Sequence, residues 1–168
     1  MNDINPSRAV YLGLKDAGID FVTSVPCVNL GALLKLISSD RDILHIPVTR
    51  EEEGVGLCAG AWMGGKRTAL LMQNSGLGNS INALASLDLL YGVPLLMVIS
   101  HRGTSGEKIS AQVPMGKLTE PVLSVMGISF VKPGPDGAED AVVEAWKTAE
   151  AKGAPAAVLL DLDFWRQE

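Results

Sequence analysis

Apolar residues recur along the chain with two alternating periods. From Asn5-Pro6, an N-cap followed by proline in the first helical turn, Val10, Leu14 and Ala17 mark one face of a helix that Gly18 ends. Ile19 to Val25 reads as a short β-branched strand stopped by Pro26, and Leu30, Leu33, Leu34 and Ile37 fall at helical spacing. Ile43 to Val48 predicts a strand. Thr49 with Glu52 three residues on matches a capping box for a helix over about Arg50 to Met63. Thr68 to Met72 and Pro94 to Ile99 are continuous apolar strands separated by a helix over Asn79 to Tyr91. Further on come a helix at Met115 to Met126, a strand at Ile128 to Val131, a helix at Gly137 to Ala151 and a last strand at Ala156 to Leu160.

Helix and strand alternate almost strictly, and the later strands are apolar on both faces. A parallel sheet covered by helices on each side follows. In such sheets ligands lie outside the carboxyl ends of the strands. That places Pro26-Cys27-Val28-Asn29, Thr49-Arg50-Glu51, Asn74 to Asn79 and Ser100-His101-Arg102-Gly103 on one edge, where nearly every residue of chemical interest falls.

The chain has 168 residues, 47% of them hydrophobic, which suits one domain over residues 1–168. The net charge of −5, without a basic run, argues against nucleic acid or an anionic membrane as the main partner. Two cysteines, Cys27 and Cys58, make no disulfide framework, and a reducing cytoplasm is the expected location. The start, Met1-Asn2-Asp3-Ile4-Asn5, lacks a signal-peptide apolar core, and no apolar run is long enough to span a bilayer.

Glu51, Glu52 and Glu53 complement the positive end of a helix dipole. Glu52 suits the capping box and Glu53 suits solvent. Glu51 shares its helical stripe with Val55, Cys58, Ala59 and Trp62, where a carboxylate is costly unless paired. On pattern alone it is either a paired structural carboxylate or a functional one. The turn Asn74-Ser75-Gly76-Leu77-Gly78-Asn79 sits between strand and helix, but a dinucleotide fingerprint needs a third glycine where Ile81 stands. Gly76 and Gly78 either ease a tight turn or let a flat ring approach the backbone. Arg102 is either a surface charge or a cation for carboxylate, sulfonate or phosphate, with His101, Lys108 and Gln112 as further donors. His45 reads as structural and Cys58 as core. There is no spaced metal-ligand cluster and no GxSxG elbow.

These residues carry a resemblance. Glu51 with Gly56, Ala59 and Gly60 behind it resembles the helix by which thiamine diphosphate enzymes present a glutamate to the aminopyrimidine of the cofactor. Leu71 to Asn79 is similar to the loop of decarboxylases acting on phosphonopyruvate and sulfopyruvate. Ser24-Val25-Pro26-Cys27, Pro47 to Gly54, Ile99 to Gly103 and Ser110 to Gly116 resemble the alpha-subunit family of sulfopyruvate decarboxylases, over essentially the whole chain.

The resemblance implies a pyrimidine-binding domain, a three-layer α/β/α fold on a six-stranded parallel sheet. It implies thiamine diphosphate contacts at Glu51, Asn74, Ser75, Gly76, Leu77, Gly78 and Asn79, with Glu51 catalytic through the imino tautomer of the cofactor. Pro26, Cys27, Asn29, His101, Arg102, Lys108 and Gln112 are the implied substrate-binding residues. The GDG motif that holds diphosphate and magnesium in this family is missing; Pro135-Asp136-Gly137 lacks the leading glycine. Mg2+ would then sit mainly on a separate beta subunit, in a hetero-oligomer whose active site forms between subunits. The implied reaction converts 3-sulfopyruvate to sulfoacetaldehyde and CO2, in coenzyme M biosynthesis of methanogens. A phosphonopyruvate decarboxylase subunit is the near alternative, and a non-catalytic nucleotide- or phosphate-binding module the distant one.

Overall fold

The computed structural model describes residues 5–166; the polar stretch Met1 to Ile4 lies outside the described residues. Helix α1 spans Pro6–Asp16, with the Asn5 side chain accepting from the Arg8 N–H. Strand β1 (Phe21–Ser24) leads through a short 3-10 turn into α2 (Gly31–Ser39), and β2 (Leu44–Pro47) into α3 (Glu51–Met63). Then come β3 (Thr68–Gln73), α4 (Asn74–Ala83), β4 (Leu96–Ser100) and α5 (Val113–Val125). Strand β5 (Ser129–Val131), α6 (Ala138–Lys152), β6 (Ala156–Leu160) and a four-residue helix α7 (Leu162–Trp165) complete the order.

The six strands form one sheet in the order β2-β1-β3-β4-β6-β5, and every pairing is parallel. Strand alternation sorts the core into two layers. Ala69 and Leu71 of β3, Leu96 and Val98 of β4, and Ala156 and Val158 of β6 pack with α1, α2, α6 and α7. Their neighbours Leu70, Met72, Met97, Ile99, Ala157 and Leu159 pack with α3, α4 and α5. The three-layer α/β/α expectation holds. The order reverses between β1 and β3, so the loops after those two strands diverge and leave a crevice at their carboxyl ends.

Three local expectations change. The helix cap at α3 is not Glu52. Glu53 Oε2 accepts from the Thr49 N–H at 3.1 Å, the Thr49 hydroxyl at 2.7 Å and the Arg50 N–H at 3.3 Å, while Glu52 pairs with Arg50 at 2.6 Å. The helix begins one residue later than the Thr49–Glu52 spacing implies, which moves the capping role on by one. Second, no loop separates β3 from its helix: α4 starts at Asn74 directly, with Gly76 and Gly78 inside its first turns. Third, α4 passes into a π-helical turn at Leu84–Leu89, which turns Asp88 into the interior at 1% exposure.

Candidate active site

Glu51 opens α3 and is 7% exposed. Its Oε2 accepts from the Asn79 side-chain amide at 3.0 Å. Its carboxyl group lies against Gly76, where an added Cβ would stand 2.6 Å from Cδ and Oε1. Neither Gly76 nor Gly78 has a positive φ, so neither glycine is there to ease a turn. Gly76 gives Glu51 its room, whereas a Cβ added at Gly78 would stand in ordinary contact with the Met115 thioether, at 3.7 Å. Among the described residues, Oε1 of Glu51 has no hydrogen-bond partner.

Asn74 turns inward. Its amide nitrogen donates to the Arg102 carbonyl at 3.0 Å and the Thr119 hydroxyl at 2.9 Å, and its carbonyl accepts from the Arg102 N–H at 3.1 Å. This buried latch ties the start of α4 to the end of β4 and to α5, and commits both N–H groups of the Asn74 amide. Ser75 is exposed and bonded to Gln73, and Leu77 is core.

The predicted anion-binding residues divide into two groups. Arg102 is 14% exposed and forms a two-point pair with Glu107, at 2.7 Å from Nε and 2.8 Å from Nη2. Glu107 also accepts from the N–H groups of Gly103 and Ile109. The Arg102 guanidinium and these N–H bonds hold its carboxyl at about 2, well below the usual carboxylate range. His101 is 2% exposed, with Nε2 bonded to the Gly116 carbonyl at 3.0 Å. The guanidinium therefore serves an internal partner, and the imidazole a backbone carbonyl. Asn29, Lys108 and the outer surface of the Arg102 pair line a cleft of about 510 Å³ with Ile109, Trp165 and Arg166. Asn29 donates to the Ser100 hydroxyl at 3.2 Å.

Cys27 and Gln112 form the other group, joined through Gln73, which sequence reasoning did not single out. Gln73 Nε2 donates to Gln112 Oε1 at 2.9 Å, and the Cys27 thiol reaches Gln73 Oε1 at 3.8 Å. A polar residue closing an apolar strand at the ligand edge was the available signal. Pro26 is exposed beside Cys27. His45 is held by Ser24 and Ser38, each at 2.8 Å. Cys58 is buried, and burial pushes its thiol up to about 12.

Whether the site suits thiamine diphosphate is tested by its donor set. A buried carboxylate with one oxygen held by Asn79 and the other unpaired, cradled at a glycine whose Cβ would displace it, suits the nitrogen face of an aminopyrimidine. Among the described residues no three His, Cys, Asp or Glu side chains come together to hold a metal, and no helix is long and apolar enough to cross a membrane.

The family model described as the thiamine pyrophosphate enzyme, N-terminal TPP binding domain, matches residues 4–123. A sulfopyruvate decarboxylase subunit alpha of Methanococcus maripaludis is 52% identical over 98% of this chain and 99% of its own length. One of Methanothermobacter thermautotrophicus is 53% identical over 96% of this chain and 99% of its own. A solved 2-oxoglutarate:ferredoxin oxidoreductase from Magnetococcus marinus superposes with a TM-score of 0.77 at 19% identity, over 95% of this chain and 29% of that one. That likeness speaks for the fold alone.

Proposed function

The chain belongs to the sulfopyruvate decarboxylase alpha-subunit family of thiamine pyrophosphate enzymes, and from that premise we propose that it is the cofactor-activating half of a decarboxylase for 3-sulfopyruvate. The products are sulfoacetaldehyde and CO2, in the service of coenzyme M biosynthesis. The observation that carries the proposal is the Glu51 corner, a buried carboxylate with one oxygen fixed by Asn79 and the other open.

Bound thiamine diphosphate supplies the electron sink that lets CO2 leave. Glu51 Oε1, without an internal partner among the described residues, would bond a ring nitrogen of the aminopyrimidine and hold or return a proton there. Asn79 fixes the carboxylate rotamer, and Gly76 keeps the approach open. Backbone at Ser75 to Asn79 would border the cofactor. The acyclic 2-oxo acid would lie toward Pro26, Cys27 and Gln112, with Asn29 and Lys108 on the adjoining cleft.

The word alpha in the relatives' names implies a partner subunit. We take it to be a beta subunit that carries the diphosphate and Mg2+, since the hard cation needs several oxygen ligands and this chain offers no such group among its described residues. On this reading residues 1–168 form one pyrimidine-binding domain in a cytoplasmic hetero-oligomer.

The test is reconstitution. The purified chain alone should turn over no substrate, and adding a beta subunit with thiamine diphosphate and Mg2+ should start CO2 release from 3-sulfopyruvate. Preference for phosphonopyruvate in kcat/KM would move the assignment to the sister reaction. Turnover by the chain alone, shown partner-free by mass spectrometry, would remove the split-site proposal.

A further inference from the structure

We infer that Cys27, Gln73 and Gln112 form a directional hydrogen-bond chain whose free end, the amide N–H pair of Gln112, receives an oxyanion of the 2-oxo acid. Gln73 is then a specificity-determining residue. The inference rests on the decarboxylase reading and adds to it how the substrate is oriented.

Gln73 is the last residue of β3, beside the crevice where the strand order reverses. Its amide is oriented from three sides. The Cys27 thiol donates to Oε1 in a long sulfur contact of 3.8 Å, and Nε2 donates to the Ser75 hydroxyl at 3.2 Å and to Gln112 Oε1 at 2.9 Å. Both N–H groups are committed, and a joint flip of the two amides would set the Gln73 N–H pair against the Cys27 thiol in place of the carbonyl that now accepts from it. The carbonyl of Gln112 therefore faces Gln73 and its nitrogen faces away. Among the described residues, that nitrogen has no acceptor. All donors in the chain point the same way, and the last donor pair is unfilled.

Two of the other candidates at this edge already serve internal partners. Arg102 is held by Glu107, and His101 is buried on the Gly116 carbonyl. Neutral donors also suit the chemistry. A guanidinium on the carboxylate that must leave as neutral CO2 would stabilise the ground state more than the transition state. An uncharged N–H pair orients an oxyanion with less of that penalty, and hydrogen bonds to a charged acceptor are the stronger kind.

The experiment uses the complex reconstituted with the beta subunit, thiamine diphosphate and Mg2+. Gln73→Glu is nearly isosteric but cannot donate to Gln112 Oε1, so the Gln112 amide turns its carbonyl toward the substrate. Gln112→Glu places a carboxylate there directly. Each variant is expected to raise KM for 3-sulfopyruvate about tenfold or more, the size of one lost charge-assisted bond, with kcat changed far less and the thermal midpoint unmoved. A matching rise with pyruvate assigns the bound oxyanion to the carboxylate; a rise confined to 3-sulfopyruvate assigns it to the sulfonate, and either supports the inference. Unchanged KM in both variants, or loss confined to kcat, would overturn it while leaving the decarboxylase reading intact. A wild-type complex inactive on every 2-oxo acid would overturn both.

Discussion

Glu51 and Glu107 are both glutamates on the carboxyl edge of one sheet, and their surroundings use them in opposite ways. Glu107 accepts from the Arg102 guanidinium at two points and from two backbone N–H groups, so both its oxygens are engaged. Glu51 accepts from Asn79 alone, although it is as removed from solvent as a core residue. A buried carboxylate held by several donors is a fastener. One held by a single neutral donor retains capacity for a ligand, and desolvation strengthens whatever bond that ligand makes. Charge in the sequence does not distinguish them; the count of committed lone pairs does.

The sharpest way to break this contrast is at Glu51. In the reconstituted enzyme, Glu51→Gln should lower kcat about 10²–10⁴-fold, the usual range for a general acid–base group, while circular dichroism and the thermal midpoint stay close to wild type. Gly76→Ala tests the same corner without touching the carboxylate. A Cβ there would meet the Glu51 carboxyl at 2.6 Å, so the side chain must swing away. A displacement of that kind should cost about 10²-fold in activity. Full activity in Gly76→Ala would mean the carboxylate does not need its present seat.

At the other corner the expected damage is to the fold. Arg102→Ala leaves Glu107 buried without its cation and loosens the loop from Gly103 to Ile109, so the thermal midpoint should fall by several degrees with KM changed less than twofold. The pH dependence gives a second reading. The folded-state Glu107 carboxyl is held at about 2, below its unfolded value of about 4.3. Its contribution is therefore whole above about pH 4.3 and is lost as pH falls toward 2. Glu107→Gln should flatten the acid limb of a stability–pH curve over that window. A large rise in KM for Arg102→Ala with an unmoved midpoint would reverse the assignment and return Arg102 to substrate binding.

Much of this architecture was legible before the fold. Alternation within Leu70-Leu71-Met72 and Leu96-Met97-Val98 sorted residues onto two faces, and both faces proved buried. Glu51 was legible because a carboxylate at the head of an apolar stripe is anomalous. The rest depended on contacts that sequence does not carry. Asn74, in a glycine-rich run, reads as a turn; it becomes helical because Arg102 and Thr119, both at least 28 residues away in sequence, take up its amide. Arg102 looked like a cation for a ligand, and Glu107 five residues on was no stronger a partner on paper than any other acid. Helix α7 is four residues long, too short for any periodicity to register.

A third carboxylate sharpens the contrast from outside the edge. Asp88 lies in the π-helical turn, and neither of its oxygens has a partner among the described residues. Burial alone pushes it up to about 7. Because the folded value lies above the unfolded one of about 3.9, Asp88 is accommodated fully only below about pH 4, and the fold loses stability as pH rises from there to about 7. Asp88→Asn should leave stability near pH 3.5 little changed and raise it at pH 8.5, with each unit of elevation worth about 1.4 kcal/mol. Denaturant melts at the two pH values would read this directly. Equal effects at both would mean that Asp88 has acquired a partner, as Glu107 has.

The smallest effect separates two adjacent glutamates whose roles the Thr49–Glu52 spacing assigns the other way round. Glu53 Oε2 closes the start of α3 through Thr49 and Arg50, whereas Glu52 makes one exposed pair with Arg50. Exposed pairs of that kind contribute little, because water and salt screen them and two long side chains must be ordered. A cap satisfies backbone donors that nothing else reaches. Glu53→Ala should therefore lower the thermal midpoint by a few degrees and reduce activity slightly, because the same helix turn carries Glu51. Glu52→Ala should do neither. If Glu52→Ala proved the more damaging, the helix would begin one residue earlier in solution, and Glu51 would no longer hold the position at its head that directs its carboxylate toward Asn79.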